Sequence, residues 1–237
     1  MILANCTHGG GHYVLSLYPQ GRTDQASLAL LRNTLVSKGV VIYYHRSRVD
    51  AADPGRKPIE IQLADNVLDR QQSNLEFQQT REFLRNNPAL PLAEAEDVLK
   101  RLIHWREQRN LRSVNRHFLD LSVQKVDGVH PTPAPSVKTV DDWQKFWQSA
   151  DIDPREGKVQ YQTTNLLEKL ARVPEQRVTA EDFRLADDSP GKGGGDGGKD
   201  LGADVDVVGP GPAYERWKKT PAYQQWLRAT GPVGEGK

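Results

Sequence analysis

Five consecutive residues, Val40-Val41-Ile42-Tyr43-Tyr44, constrain the folding of this chain more than any other segment. All are β-branched or aromatic, so the run demands a strand that is apolar on both faces, as strands of parallel sheets are. A parallel neighbour needs a crossover, and the residues upstream read as one. Thr23 or Asp24 caps a helix whose broad apolar face is Ala26, Leu28, Leu30, Leu31, Leu35 and Val36, with Gly39 as its stop. Met1 to Cys6 is the short apolar strand that precedes it. The expected fold class is therefore α/β, with a small βαβ unit over residues 1–66.

Downstream the signals turn helical. Ile59, Ile61 and Leu63 alternate with polar residues as a half-exposed strand does. Ser73-Asn74-Leu75-Glu76 has capping-box spacing and predicts a helix to about Asn87, which Pro88 ends. Leu92 to Arg109 is rich in helix formers, with Val98, Leu99, Leu102 and Ile103 as its apolar stripe. Leu111, Val114, Phe118 and Leu121 continue that spacing, so residues 67–128 read as a helical segment. Residues 129–186 begin with a stiff spacer, His130-Pro131-Thr132-Pro133-Ala134-Pro135. Short helices follow, one of them starting at Thr139 and carrying Trp143, Phe146 and Trp147 on one side. Residues 187–212 are glycine-rich and acidic and read as a disordered linker. Residues 213–237 form an aromatic C-terminal helix and tail. No internal repeat stands out.

Charge separates function classes. The chain carries 32 basic and 31 acidic side chains, a net +1, which excludes a nucleic-acid carpet and an acidic tail protein. The balance conceals segregation. Lys100, Arg101, Arg106, Arg109, Arg112 and Arg116 against Glu107 give +5 over residues 100–118, whereas six aspartates against Lys192 and Lys199 give −4 over residues 187–212. The basic run reads as solvated helix surface with snorkelling arginines. Cys6 is the one cysteine, so no intramolecular disulfide forms. No apolar run reaches the roughly 18 residues of a membrane helix and no basic leader is visible, making a cytoplasmic location the default. The abrupt apolar start at Met1 fits a piece of a larger protein.

The local feature nearest to chemistry is His8-Gly9-Gly10-Gly11 after an apolar strand. Without Cβ atoms, such a loop lets backbone N–H groups approach an anion. The order ILANCT, HGGG, helix, then Gly39-Val40-Val41-Ile42-Tyr43-Tyr44-His45-Arg46 resembles one section of the lipase and esterase branch of the α/β-hydrolases, over about 45 residues. The resemblance implies an oxyanion-type loop at His8, Gly9, Gly10 and Gly11. The chain departs from that family in having no G-x-S-x-G, so no nucleophile is identified.

Cys6, His8, His12 and His45 are ligand types, but their spacing matches no preformed zinc geometry, and no metal or cofactor is expected. Gly193 to Lys199 imitates a phosphate loop, yet Asp200 stands where Ser or Thr would hold Mg²⁺. The terminal aromatics Trp217, Tyr223 and Trp226 suit helix-in-groove binding to a protein partner. The resulting expectation is a structural or protein-interaction protein without a complete catalytic set, with neither nucleic acid nor membrane as partner. The alternative is a fragment related to the esterases.

Overall fold

The computed structural model describes residues 1–9, 13–18, 26–37, 39–46, 57–69, 73–79, 84–85, 89–113, 117–125, 128–133, 136–149, 153–172, 178–208 and 212–224. The chain winds as a parallel β-solenoid. Its first three coils are β1 (Ile2–Ala4), β2 (Thr7–Gly9) and β3 (Tyr13–Leu17); β4 (Ser27–Leu31), β5 (Thr34–Val36) and β6 (Val40–Arg46); and β7 (Ile59–Ala64), β8 (Val67–Asp69) and β9 (Ser73–Gln79). The fourth coil opens with the helix α1 (Leu92–Leu102), then β10 (Ile103–Gln108), β11 (Leu111–Arg112) and β12 (Leu119–Lys125). Strands three apart in sequence pair in parallel, giving sheet A (β1-β4-β7-β10), sheet B (β2-β5-β8-β11, closed by β14, Arg155–Glu156) and sheet C (β3-β6-β9-β12). The antiparallel strand β13 (Gly128–Pro133) ends sheet C beside β12.

This architecture overturns the expected βαβ unit and the helical middle. Residues 23–36 carry no helix among the described positions: Leu28 and Leu30 sit two apart on β4 and both face the core, a strand period that a helical reading of their neighbours hid. The capping-box residues Ser73 to Glu76 lie in β9. There Leu75 and Phe77 point inward and Glu76 and Gln78 outward. Helix α1 does form, but it stops at Leu102. From Ile103 onward Ile103, Trp105 and Glu107 are buried and His104 and Arg106 exposed, because Ile59, Ile61 and Leu63 of β7 present a matching row. The basic run over residues 100–118 is therefore split between a helix end and two strands.

A repeat is present after all. Between the first and second strands of each of the four coils one residue takes a left-handed φ, Asn5, Arg32, Asp65 and Arg109, and Asp153 repeats it before β14, all between 49° and 56°. Asparagine follows three of them. Asn33, Asn66 and Asn110, none with measurable exposure, stack as a ladder. Asn66 Oδ1 accepts from the Asn33 backbone (2.9 Å) and Nδ2 (3.1 Å), and Asn110 Oδ1 accepts from the Asn66 backbone (3.0 Å) and Nδ2 (2.9 Å). Asn33 Oδ1 receives the Cys6 N–H at 3.0 Å. Buried turn groups that water cannot reach are thus satisfied from coil to coil. The period is uneven: stacked partners Ile2, Ala29, Gln62 and Arg106 lie 27, 33 and 44 residues apart.

The core is the solenoid interior, with aligned columns such as Leu28–Ile61–Trp105 and Tyr44–Phe77–Leu121. Helix α2 (Val140–Trp147) closes the far end, its start fixed by reciprocal Thr139 and Asp142 hydrogen bonds. Trp143 meets Trp105 edge-on at 5.1 Å and Trp147 stacks on it at 5.6 Å, so this aromatic helix serves the protein's own core.

Residues 157–172 and 178–208 form a strap over the outer face of sheet B, including α3 (Leu166–Ala171). Val67 and Leu111 of the sheet pack with Val159, Leu185 and Leu201 of the strap, and Val36 packs with Leu166, Phe183 and Val205. The strap reaches back to the first coil, where Asp204 N–H donates to Asn5 Oδ1 at 2.7 Å. The expected disordered linker is therefore packed structure through residue 208: Leu201 and Val205 bury apolar surface, and the Asp200 carboxylate accepts from Gly193 N–H and Lys192 Nζ. Gly202, at φ 84°, approaches Thr34 and Val67 so closely that a Cβ would collide with them.

Candidate functional site

On sheet C, inward residues alternate with an outward row that is polar and nevertheless buried. Register places Ser16, Tyr43, Glu76 and Asp120 in one column across β3, β6, β9 and β12. His45, Gln78 and Ser122 make the next column. Neighbouring strands stand about 4.8 Å apart, so Glu76 and Asp120 are two carboxyl groups side by side. Glu76 is 7% exposed and Asp120 only 1%.

Their surroundings are polar but poor in positive charge. His117 Nε2 lies 2.9 Å from Asp120 Oδ1, and Ser73 lies beside the same carboxyl. The Ser122 hydroxyl, itself buried, lies beside Glu76 and Tyr43. Among the described residues no lysine or arginine pairs with Glu76 or Asp120. Burial raises the Glu76 carboxyl above the ordinary range; the Ser122 hydroxyl lowers it in part, while the Asp120 charge adds to the rise. Burial also raises Asp120, against the opposing pull of Ser73 and His117. Tyr43 is pushed up by burial and by the Glu76 charge, so it stays a phenol. His45 is held down to about 4 by burial, with Gln78 offsetting part of the shift, and is neutral at neutral pH. Its Nε2 lies 2.9 Å from the Ser16 hydroxyl.

Aromatic rings border the pair. Tyr13 stacks on Tyr43 at 5.5 Å, Tyr43 meets His45 edge-on at 4.5 Å, and Tyr18 stacks on His45 at 3.6 Å. Exposure rises along this wall from the half-buried Tyr43 to Tyr13 at 50% and Tyr18 at 59%.

The residues singled out from sequence lie elsewhere. His8 and Gly9 are in β2, paired with Leu35 and Val36; Gly10 and Gly11 lie outside the described residues. A Cβ on Gly9 would meet the Leu170 methyls of α3, so the strap packs closely against β2 there. Trp217, on α4 (Pro212–Lys218), and Tyr223 come together with ring centres 4.9 Å apart, both half-buried, whereas Trp226 lies outside the described residues. Among the described residues no three of His, Cys, Asp and Glu are placed to share a metal ion. No described helix is long and apolar enough to cross a membrane.

Glu76, Asp120 and His117 were missed because the sequence places them far apart in helical-looking segments, and Tyr43 because its strand offered no polar partner nearby in sequence. The available signal was the period-2 alternation of Leu75, Phe77, Leu119 and Leu121, which forces Glu76 and Asp120 to one face. Comparison with family models, curated proteins and solved structures finds no match.

Proposed function

We propose that this protein is a binding scaffold, a β-solenoid that presents the outer face of sheet C to a ligand. One observation carries the reading: Glu76 and Asp120 are buried side by side with no lysine or arginine paired with either among the described residues, and only His117 lies against Asp120. A buried carboxyl in that state costs stability, and such costs concentrate where a protein keeps a group for function. The other two faces support the choice by contrast. The strap occupies the outside of sheet B, and the outside of sheet A carries the exposed Gln62, His104 and Arg106, with no buried polar cluster among the described residues.

The test is the double change Glu76→Gln with Asp120→Asn, followed by thermal unfolding at pH 8. A pair kept for a ligand predicts a higher melting temperature in the variant, by a few degrees. A lower melting temperature would make the pair a structural element and overturn the reading.

The paired rings of Trp217 and Tyr223 support a second contact point, a short aromatic element for a protein partner. Deletion of residues 213–237 leaves the melting temperature unchanged on this reading, and a large drop would assign the segment to the core.

A further inference from the structure

The two ends of the solenoid are finished differently. At the far end α2 closes the core, β13 and β14 pair with the outer edges of β12 and β11, and Ile103, Trp105 and Glu107 of β10 are buried. At the near end β1, β2 and β3 each pair on one side only, with β4, β5 and β6. The backbone bonds fix which groups are left over there. Ala29 N–H donates to the Met1 carbonyl and Asn5 N–H to the Leu31 carbonyl, so Leu3 bonds β4 while Ile2 and Ala4 face away. In the same way Thr34 N–H on the Cys6 carbonyl leaves Thr7 and Gly9 facing away. Ser73 N–H on the Gly39 carbonyl commits Val41 and Tyr43 to β9. Val40, Ile42 and Tyr44 therefore bond β3, and Tyr13, Leu15 and Leu17 opposite them face away. Among the described residues these seven outward N–H groups have no acceptor, and Cys6 Sγ on the Ala4 carbonyl is the one donor to the matching carbonyls.

This end is also apolar and uncharged. Leu3, Leu15 and Leu17 continue the interior columns of Leu30, Ile42 and Tyr44 but stay only partly buried. Met1, Tyr13 and Tyr18 are three of the four exposed large hydrophobic side chains among the described residues. Residues 1–18 contain no Asp, Glu, Lys or Arg, in a chain where those residues make up 27%. Edge strands that remain single are ordinarily guarded by charges, bulges or proline, and the terminal repeats of solenoids by a polar cap. Strands β1, β2 and β3 carry neither charge nor proline.

We propose that this end is the contact face of a two-fold dimer, its occupant a second copy of the chain. An extended peptide covers one edge, whereas three edges set around one core opening are matched by the same three edges of another copy. A two-fold axis across the solenoid reverses chain direction, so β1 meets β1 of the other copy antiparallel and β2 meets β3. Pairing centred on Leu3 sets Ile2 of each copy opposite Ala4 of the other. The outward groups then exchange about ten hydrogen bonds, as many as a typical protein interface carries. With no charged side chain on β1, β2 or β3 the copies meet without repulsion, and the half-covered leucines gain the apolar contact they lack. The contact is isologous, so assembly stops at two copies.

The test is sedimentation equilibrium of the full chain from about 1 to about 100 μM, paired with backbone hydrogen exchange at both concentrations. A dimer is expected, with the Ala4, Leu15 and Leu17 amides protected wherever it is populated and exchanging freely in the monomer. Ala4→Pro with Tyr13→Lys removes an outward donor and adds a charge to each face while leaving the bonds between β1 and β4 in place. Its dissociation constant is expected to rise at least about tenfold, with the circular dichroism spectrum unchanged. Lys145→Ala, exposed on α2 at the far end, leaves the dimer as it is. A chain that stays monomeric throughout overturns the proposal. So do a dimer whose Ala4, Leu15 and Leu17 amides remain unprotected, and species that grow beyond two copies. The exchange comparison uses the unaltered chain, so it decides the question even where the double variant fails to fold.

Discussion

Two buried acidic sites in this solenoid, one inside and one outside, are built on opposite terms. Inside the last coil, Glu107 extends the interior column of Leu30 and Leu63. It forms an ion pair with Arg112, a side chain with no exposure, and it accepts from the indole N–H groups of Trp105 and Trp143, the latter at 3.1 Å. Outside sheet C, Glu76 and Asp120 face each other with hydroxyls and a histidine but no arginine. The first site is compensated by its own chain and closes the end of the core under α2. The second sets one histidine and neutral hydroxyls against two carboxyls. Burial alone does not say how an acid is compensated; the residues on the neighbouring coils do.

The comparison breaks most sharply at Glu107. Glu107→Gln strands the Arg112 charge in the core, and a loss of about 3–5 kcal/mol is expected in denaturant unfolding. A smaller effect than for Glu76→Gln would reverse the assignment of the two sites. Next in size is Asn66→Ala in the ladder. It removes the acceptor of the Asn33 backbone and amide, and it takes the Asn66 Nδ2 donor from Asn110 Oδ1 and from the Leu30 carbonyl, at about 2–4 kcal/mol for several orphaned buried groups. Both changes test the interior; neither touches sheet C's outer row.

The pH dependence sharpens the contrast with a smaller effect of opposite sign. Because Glu76 and Asp120 titrate above their unfolded values, the native chain holds protons that the unfolded chain has released. Their contribution is least harmful at low pH and declines as pH rises from about 4 through the raised values. The gain from Glu76→Gln with Asp120→Asn is therefore expected to be full at pH 8 and to vanish near pH 4 in paired melting curves. His45 acts in the reverse direction. Its value falls to about 4 in the folded chain, so the unfolded state takes up the proton first. Stability is lost as pH falls from about 6.5 toward 4. His45→Gln should flatten that part of the melting-temperature profile. The smallest effect belongs to the surface pair Glu168–Arg172 on α3, both half-exposed; Arg172→Ala should shift unfolding by less than about 0.5 kcal/mol.

Part of this structure was legible beforehand. Val40 to Tyr44 is the buried parallel strand its composition demands, and α2 begins at Thr139 with the aromatic side that the spacing of Trp143, Phe146 and Trp147 predicts. The middle of the chain misled because glutamates, glutamines and arginines at outward strand positions look like helix formers when read locally. Ile103, Trp105 and Glu107 declare themselves a strand only beside Ile59, Ile61 and Leu63. The repeat was hidden for a related reason. Coils of 27, 33 and 44 residues share no period, and the ladder asparagines are recognisable only when stacked. The glycine-rich strap looked as though it had nothing to bury, yet Leu201, Val205 and Phe183 suffice once a waiting sheet face supplies the other half of the contact.

By itself the sequence determined the local matters: which runs are apolar on both faces, where Thr139 starts a helix, and that Glu76, Asp120, Glu107 and Arg112 exist to be placed. Only the tertiary structure decided that Arg112 serves Glu107 and that Glu76 meets Asp120 instead of an arginine. The physical reason is that parallel pairing joins residues one coil apart. The compensation of a buried charge is a property of the neighbouring coils and cannot be read from the charge itself.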